Sequence, residues 1–285
     1  MALRAVPSPR RIAATAATLL GASALLLGTA TAAGATSRAS HHANPLPRFT
    51  VRAAALTPAD AAATSTNWGG YAVTPPGGRV TAVTASFTVP RAGLILPGFA
   101  ATWTGIGGYS TPDLIQAGVA EQSLPSTPIF GPQYYAWYEL LPGNPIHLTG
   151  CMGDANCTVG PGDQVTVTIL QVAGTTWTVR VTDAGRWLYS SNVTYSSSNS
   201  SAEWILEAPN LLGLQAPLAG VGTTHFGPTS TYTAAGVTST IAQGNPIQID
   251  QTAPLNLFKE STTSGLAADG QSFNVCAYAS GCPNP

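Results

Sequence analysis

The clearest pattern along the chain is an alternation of apolar and polar residues. Over residues 80–89 the side chains of Val83, Ala85, Phe87 and Val89 fall on one face and those of Thr84, Ser86 and Thr88 on the other, and Pro90 closes the run. A period of two over this length marks a half-buried strand. Related runs occupy 101–106, 113–120, 133–141, 164–173, 175–183, 186–195, 203–207, 222–226, 247–251 and 272–278, and Ala173-Gly174 predicts a hairpin between two of them. The connections are short and turn-rich, and no segment carries the period of an amphipathic helix. The expectation is one all-β domain over 63–285, an antiparallel two-sheet β-sandwich.

One of these runs carries chemistry. The stretch 200–209 reads Ser-Ser-Ala-Glu-Trp-Ile-Leu-Glu-Ala-Pro, a short strand ended by proline. Alternation puts Glu203, Ile205 and Glu207 on one face and Trp204 and Leu206 on the other. Glu139 follows Tyr134-Tyr135-Ala136-Trp137-Tyr138 and shares a face with Tyr135 and Trp137. An aromatic wall with a carboxylate suits a polypeptide or a sugar, and equally a core cluster with a Glu at its rim. Gln116 lies inside the apolar run Leu114-Ile115-Gln116-Ala117-Gly118-Val119. A buried amide there needs a hydrogen-bond partner.

Charge changes the picture. Only 8% of the residues are charged, against roughly 25% in an ordinary domain. The first 62 residues hold six Arg and one acid (Asp60), net +5; residues 63–285 hold five Lys/Arg and eleven acids, net −6, which sums to the overall −1. A domain so poor in bases acquires little positive charge when its carboxyls protonate, so it should tolerate acid. An acidic domain also argues against nucleic-acid partners. Arg4, Arg10 and Arg11, the apolar run 13–27 and Ala30-Thr31-Ala32 predict a secretory signal peptide over 1–32. Residues 33–62 are then a propeptide or linker. No later apolar run approaches the roughly 18 residues that cross a bilayer. The expected product is a secreted, extracellular protein off the membrane, and a monomer.

Cys151 and Cys157 lie six apart, as do Cys276 and Cys282. In an exported chain this favours two local disulfides, with the other two connectivities open. Zinc is disfavoured, because this spacing is not that of a zinc site and no His cluster accompanies it. Neither His147 nor His225 sits in an H-E-x-x-H pattern, which excludes a zincin. A G-x-S-x-G elbow, Asp-Thr/Ser-Gly motifs and Gly-rich phosphate loops are all absent from the sequence. No cofactor and no metal are expected. What remains is carboxylate and amide chemistry: Glu139, Glu203, Glu207, Asp113, Glu121 and Gln116.

Taken in order, several stretches resemble the glutamic peptidase (eqolisin) family: Asn67-Trp68-Gly69-Gly70; Ser86-Phe87-Thr88-Val89-Pro90; Trp103-Thr104-Gly105-Ile106-Gly107-Gly108 with Leu114-Ile115-Gln116-Ala117-Gly118-Val119; Ala136-Trp137-Tyr138-Glu139-Leu140; and Ala202-Glu203-Trp204-Ile205-Leu206-Glu207. The resemblance implies a concanavalin-like sandwich of two seven-stranded sheets and an acid-active endopeptidase that uses one Gln and one Glu. The matching positions are Gln116 and Glu207, the second Glu of its motif. Strand parity alone does not choose between Glu203 and Glu207. Trp68, Trp103, Trp137, Tyr138 and Glu139 are the expected substrate-binding residues, with polypeptides and the chain's own propeptide as partners. An unperturbed Glu titrates near 4.3, which predicts activity in the acid range. Two departures stand out: Gly107 replaces the family Asp, and Leu140 replaces its second Trp.

The main rival is a secreted carbohydrate-binding or glycoside-hydrolase sandwich, with Glu139 and Glu207 as an acid/base pair. A regulatory expectation follows from the charge split. Arg38, His41, His42, Arg48 and Arg52 would hold the propeptide against the acidic domain at neutral pH and release it on acidification.

Overall fold

The protein, as a computed structural model, describes residues 62–76, 79–124, 131–211, 214–253 and 257–285. The expected signal peptide, and the propeptide with its charge-release device, lie outside these residues but for Ala62.

The chain runs through β1 (Ala63–Ser65), β2 (Trp68–Val73), β3 (Val80–Thr88), β4 (Gly98–Gly107), β5 (Leu114–Ser123), β6 (Gln133–Leu140) and β7 (Ile146–His147). Then come β8 (Gln164–Ala173), β9 (Thr176–Asp183), β10 (Trp187–Thr194), β11 (Ala202–Glu207), β12 (Asn210–Leu211), β13 (Leu214–Gln215) and β14 (Thr223–Phe226). It ends with β15 (Thr231–Ala234), β16 (Val237–Thr240), one 3-10 turn (Ile241–Gly244), β17 (Ile247–Thr252), β18 (Lys259–Thr263) and β19 (Phe273–Ala277). Every strand expected from alternation is present, with ends shifted by a few residues. Strands β2, β15, β16 and β18 were not signalled by alternation, because their sequences are rich in Gly, Thr and Ser, and β1, β7, β12 and β13 were not, because two or three residues are too few to show a period.

Seventeen strands form one hydrogen-bonded sheet, and β12 and β13 form a second, small one. One run of the ladder is β7–β6–β5–β4–β11–β2–β17, with β1 on β17. The other is β18–β19–β14–β3–β8–β9–β10, with the β15–β16 hairpin also on β3. The two runs join where β17 pairs with β18. All pairings in these runs are antiparallel except β1 with β17.

Alternation decides which face of the first run meets which core. Ile115, Ala117 and Val119 on β5, with Trp204 and Leu206 on β11, join Val83, Phe87, Val167 and Val179 from the second run in the main core. Each such large apolar side chain contributes about 1.5–3 kcal/mol on burial. The opposite face of β2, β4, β6 and β11 carries a smaller cluster of Trp68, Trp103, Trp137 and Ile205, to which Ala63 of β1 and Ile249 of β17 belong. The site lies on that second face. Disulfides Cys151–Cys157 and Cys276–Cys282 close two local loops, the pairing favoured from spacing.

Candidate active site

Neighbouring strands bring the candidate side chains together by register. Gln116 on β5 stands opposite Glu139 on β6. Its Nε2 donates to Glu139 Oε2 at 2.7 Å, so the amide in the apolar strand has its partner. Glu207 on β11 stands opposite Ala101 on β4 and Trp68 on β2. Asn67 Nδ2 donates to Glu207 Oε1 and Trp103 Nε1 to Oε2, each at 2.8 Å. Gln116 and Glu207 are fully buried and Glu139 is 1% exposed. Gly118 separates Trp103 on β4 from Trp137 on β6. A Cβ there would collide with the Thr102 carbonyl and Trp103 Cβ, so the two indole-bearing strands require glycine between them. Trp68 packs edge-on against Trp103, ring centroids 5.1 Å apart.

Burial of carboxyls without cations sets the electrostatics. Glu207 is pushed up to about 8 by burial, and N–H groups of Trp103, Asn67 and Trp68 offset only part of that. Glu139 is pushed up to about 9 by burial and then by the Glu207 charge, with the Gln116 amide offsetting part. Glu139 therefore senses the Glu207 charge, and Glu207, with donors on both oxygens, gives up its proton the more readily. Hydrogen bonds from N–H donors favour the charged form, which is why the better-donated carboxyl ionises first. An ionised Glu207, fixed at both oxygens, is an oriented base. A protonated Glu139 is a neutral donor beside Gln116. Glu203 is also fully buried, and burial pushes its carboxyl well above the usual range, with the nearby Ser201 hydroxyl and Tyr109 backbone N–H offsetting part of this.

The profile of the Peptidase A4 family matches residues 66–269. The chain belongs to the Peptidase A4 family. It is thus a glutamic endopeptidase, a hydrolase. Its fold is similar to that of scytalido-glutamic peptidase, solved with a transition-state analog inhibitor (TM-score 0.61, 18% identity, 75% of this chain and 98% of that one). It is similar to SCP-B, a member of the eqolisin family solved with the tripeptide Ala-Ile-His (TM-score 0.56, 19% identity, 75% and 99%). Aspergilloglutamic peptidase from Aspergillus niger gives a TM-score of 0.50 at 22% identity, over 63% and 98%. At these identities the likeness is one of fold. No curated protein matches the chain.

In this glutamic peptidase the structure gathers Gln116, Glu139, Glu207, Trp68, Trp103 and Trp137 on one side of the sheet, but not Tyr138. Tyr138 points the other way, into the main core, with its ring stacked on Tyr189 at 6.2 Å. The parity of β6 dictates this, since Tyr135, Trp137 and Glu139 take the opposite face. Gly107 has φ +86°, and a Cβ there would press on the Asp113 carbonyl at 2.6 Å. An Asp in its place would be strained, and the Gln116 amide is held by Glu139 instead. Sequence reasoning gave Asn67 no role in the site. Its one signal was a polar amide directly before the Trp-Gly-Gly of a buried strand.

Proposed function

We propose that this glutamic peptidase hydrolyses peptide bonds through Gln116 and Glu207. Glu207, as carboxylate, takes a proton from the water that attacks the scissile carbonyl. It then delivers that proton to the leaving amine, so that water and peptide become a carboxylic acid and an amine. Gln116 steadies the water and offers an N–H to the tetrahedral oxyanion, a contact worth about 3–4 kcal/mol in comparable sites. Trp68, Trp103 and Trp137 form the apolar wall, and Glu139 fixes the Gln116 amide. The observation that carries the reading is a buried Glu207 held at both oxygens by Asn67 and Trp103, on the same face of the sheet as the hydrogen-bonded Gln116–Glu139 pair.

The acid optimum expected from a free Glu shifts upward in this reading, because burial raises both carboxyls. We further infer that the two ladder runs are the layers of a sandwich, which the mixed membership of the main core supports. Secretion fits the two disulfides, and a monomer matured from a propeptide belongs to the same reading. Turnover of an unfolded protein by wild type, Glu207→Gln and Gln116→Ala tests the assignment. Loss in both variants supports it. Full activity of Gln116→Ala would favour the rival pair of Glu139 and Glu207, which needs no amide.

A further inference from the structure

The segment that precedes β2 is built into the site. Ser65 Oγ accepts the backbone N–H of Asn67 at 3.3 Å and that of Trp68 at 3.1 Å. A serine hydroxyl has two acceptor sites and one proton. Its proton therefore goes to the third neighbour, Asn67 Oδ1, at 3.1 Å. With Oδ1 so occupied, the other end of the amide, Nδ2, faces Glu207 Oε1 at 2.8 Å. Ser65 and Asn67 are both buried. The backbone around them is clamped too. Ala208 N, next to Glu207, donates to Asn67 O at 2.9 Å. The Thr66 carbonyl accepts from Gln215 Nε2 and Gln251 Nε2, and both amides are held by Glu260 Oε2. Ala63, at the start of β1, packs in the same cluster as Trp68, Trp103 and Trp137.

We propose that Ser65 is a positioning residue for Glu207, acting through Asn67, and that Ser65 and Thr66 are consequently a part of the active site that maturation must leave attached. This rests on Glu207 being the general base. A hydroxyl that merely capped a local turn would need only the two backbone contacts. The third, to Asn67 Oδ1, is the one that orients a donor toward the carboxylate. Without it the amide is free to present Oδ1 to Glu207. An acceptor facing the carboxyl favours its protonated form, so less base is present at a given acidic pH.

The test uses the full chain, secreted and matured, with Ser65→Ala, Ser65→Thr, Asn67→Ala, Ser65→Ala/Asn67→Ala and Glu207→Gln. Ser65→Ala should lower kcat about tenfold with KM within about twofold, and move the acid limb of kcat upward by about one pH unit. Ser65→Thr, which keeps the hydroxyl, should recover most of kcat. The double variant should be no worse than Asn67→Ala alone, because the two act in series. Mass spectrometry of the active wild type should place its first residue at or before Ser65, a readout independent of whether any variant folds. An active mature form beginning at Thr66 or later overturns the proposal, as does a wild-type kcat and pH profile for Ser65→Ala. Glu207→Gln separates the two layers: if it keeps full activity the assignment of Glu207 fails. If it is inactive while Ser65→Ala is normal, only the positioning role fails.

Discussion

Replacing Glu121 with Gln should make the protein more stable at neutral pH while leaving it unchanged at pH 4. Glu121 is fully buried on β5, opposite Ala100 on β4 and Tyr134 on β6. Alternation puts it on the main-core side, away from Gln116. Burial pushes its carboxyl from 4.5 up to about 8, and the Thr102 hydroxyl offsets only part of this. Below pH 4.5 the folded and unfolded chains both hold the proton, so the residue behaves as a neutral polar group. Between 4.5 and 8 the unfolded chain ionises and the folded one does not. Stability then falls by about 1.4 kcal/mol per pH unit, to a total near 3 kcal/mol at pH 7 and about 5 kcal/mol at pH 8. Gln has nearly the same shape and no such titration. Urea unfolding followed by tryptophan fluorescence should give equal stabilities at pH 4, within about 1 kcal/mol. At pH 7 the variant should lead by about 3 kcal/mol, which in a chain of this size is about 6–12 °C in Tm. Activity at pH 4 should match wild type, since Glu121 faces away from the site. Parallel stability curves for the two proteins from pH 4 to 8 would refute the reasoning.

Other outcomes follow from the same contacts. Because Glu207 must be ionised to act as base and burial raises it, the acid limb of kcat/KM should lie above the 4.3 of a free Glu; a limb below 4 would remove Glu207 from the role. Asn67→Ala deletes the donor to Oε1 and should move that limb further up by about one unit, with kcat/KM on the limb reduced at least tenfold. Trp103→Phe keeps a ring against Trp68 but loses the Nε1 donor to Oε2. It should shift the limb in the same direction while urea unfolding stays within about 1.5 kcal/mol of wild type. Gly118→Ala forces a Cβ into the Thr102 carbonyl and Trp103 and should cost 3 kcal/mol or more, read as a drop in the urea midpoint; a cost under 1 kcal/mol would mean that β4 and β5 yield easily.

The alternating runs were legible because most of them, β3, β5, β8 and β9 among them, bury one face in the main core, and a period of two survives any choice of loop. Strand β18 was not, although it is buried. Its Lys-Glu-Ser-Thr-Thr sequence is held by polar contacts: Glu260 accepts from Gln215 and Gln251, and Thr263 donates to the Ile249 carbonyl. Polar residues that pay their desolvation through partners distant in sequence leave no local pattern. In the site, parity put Glu203 and Glu207 on one face and could go no further. What separates them is tertiary: the donors on Glu207 come from Asn67 and Trp103, on two other strands or their edges. Tyr138 shows the opposite case, since parity already set it against Trp137 and Glu139. An aromatic beside a functional residue in sequence is not beside it in space.

The most direct check on the central assignment is hydrolysis of an unfolded protein by the purified protein from pH 2 to 7, with Gln116→Ala, Glu207→Gln and the double variant measured together. The account predicts that each single change abolishes turnover and that the double is no worse than either, as expected of groups acting on one water and one oxyanion. Substantial cleavage by Glu207→Gln, from protein shown to be folded and matured, would contradict it.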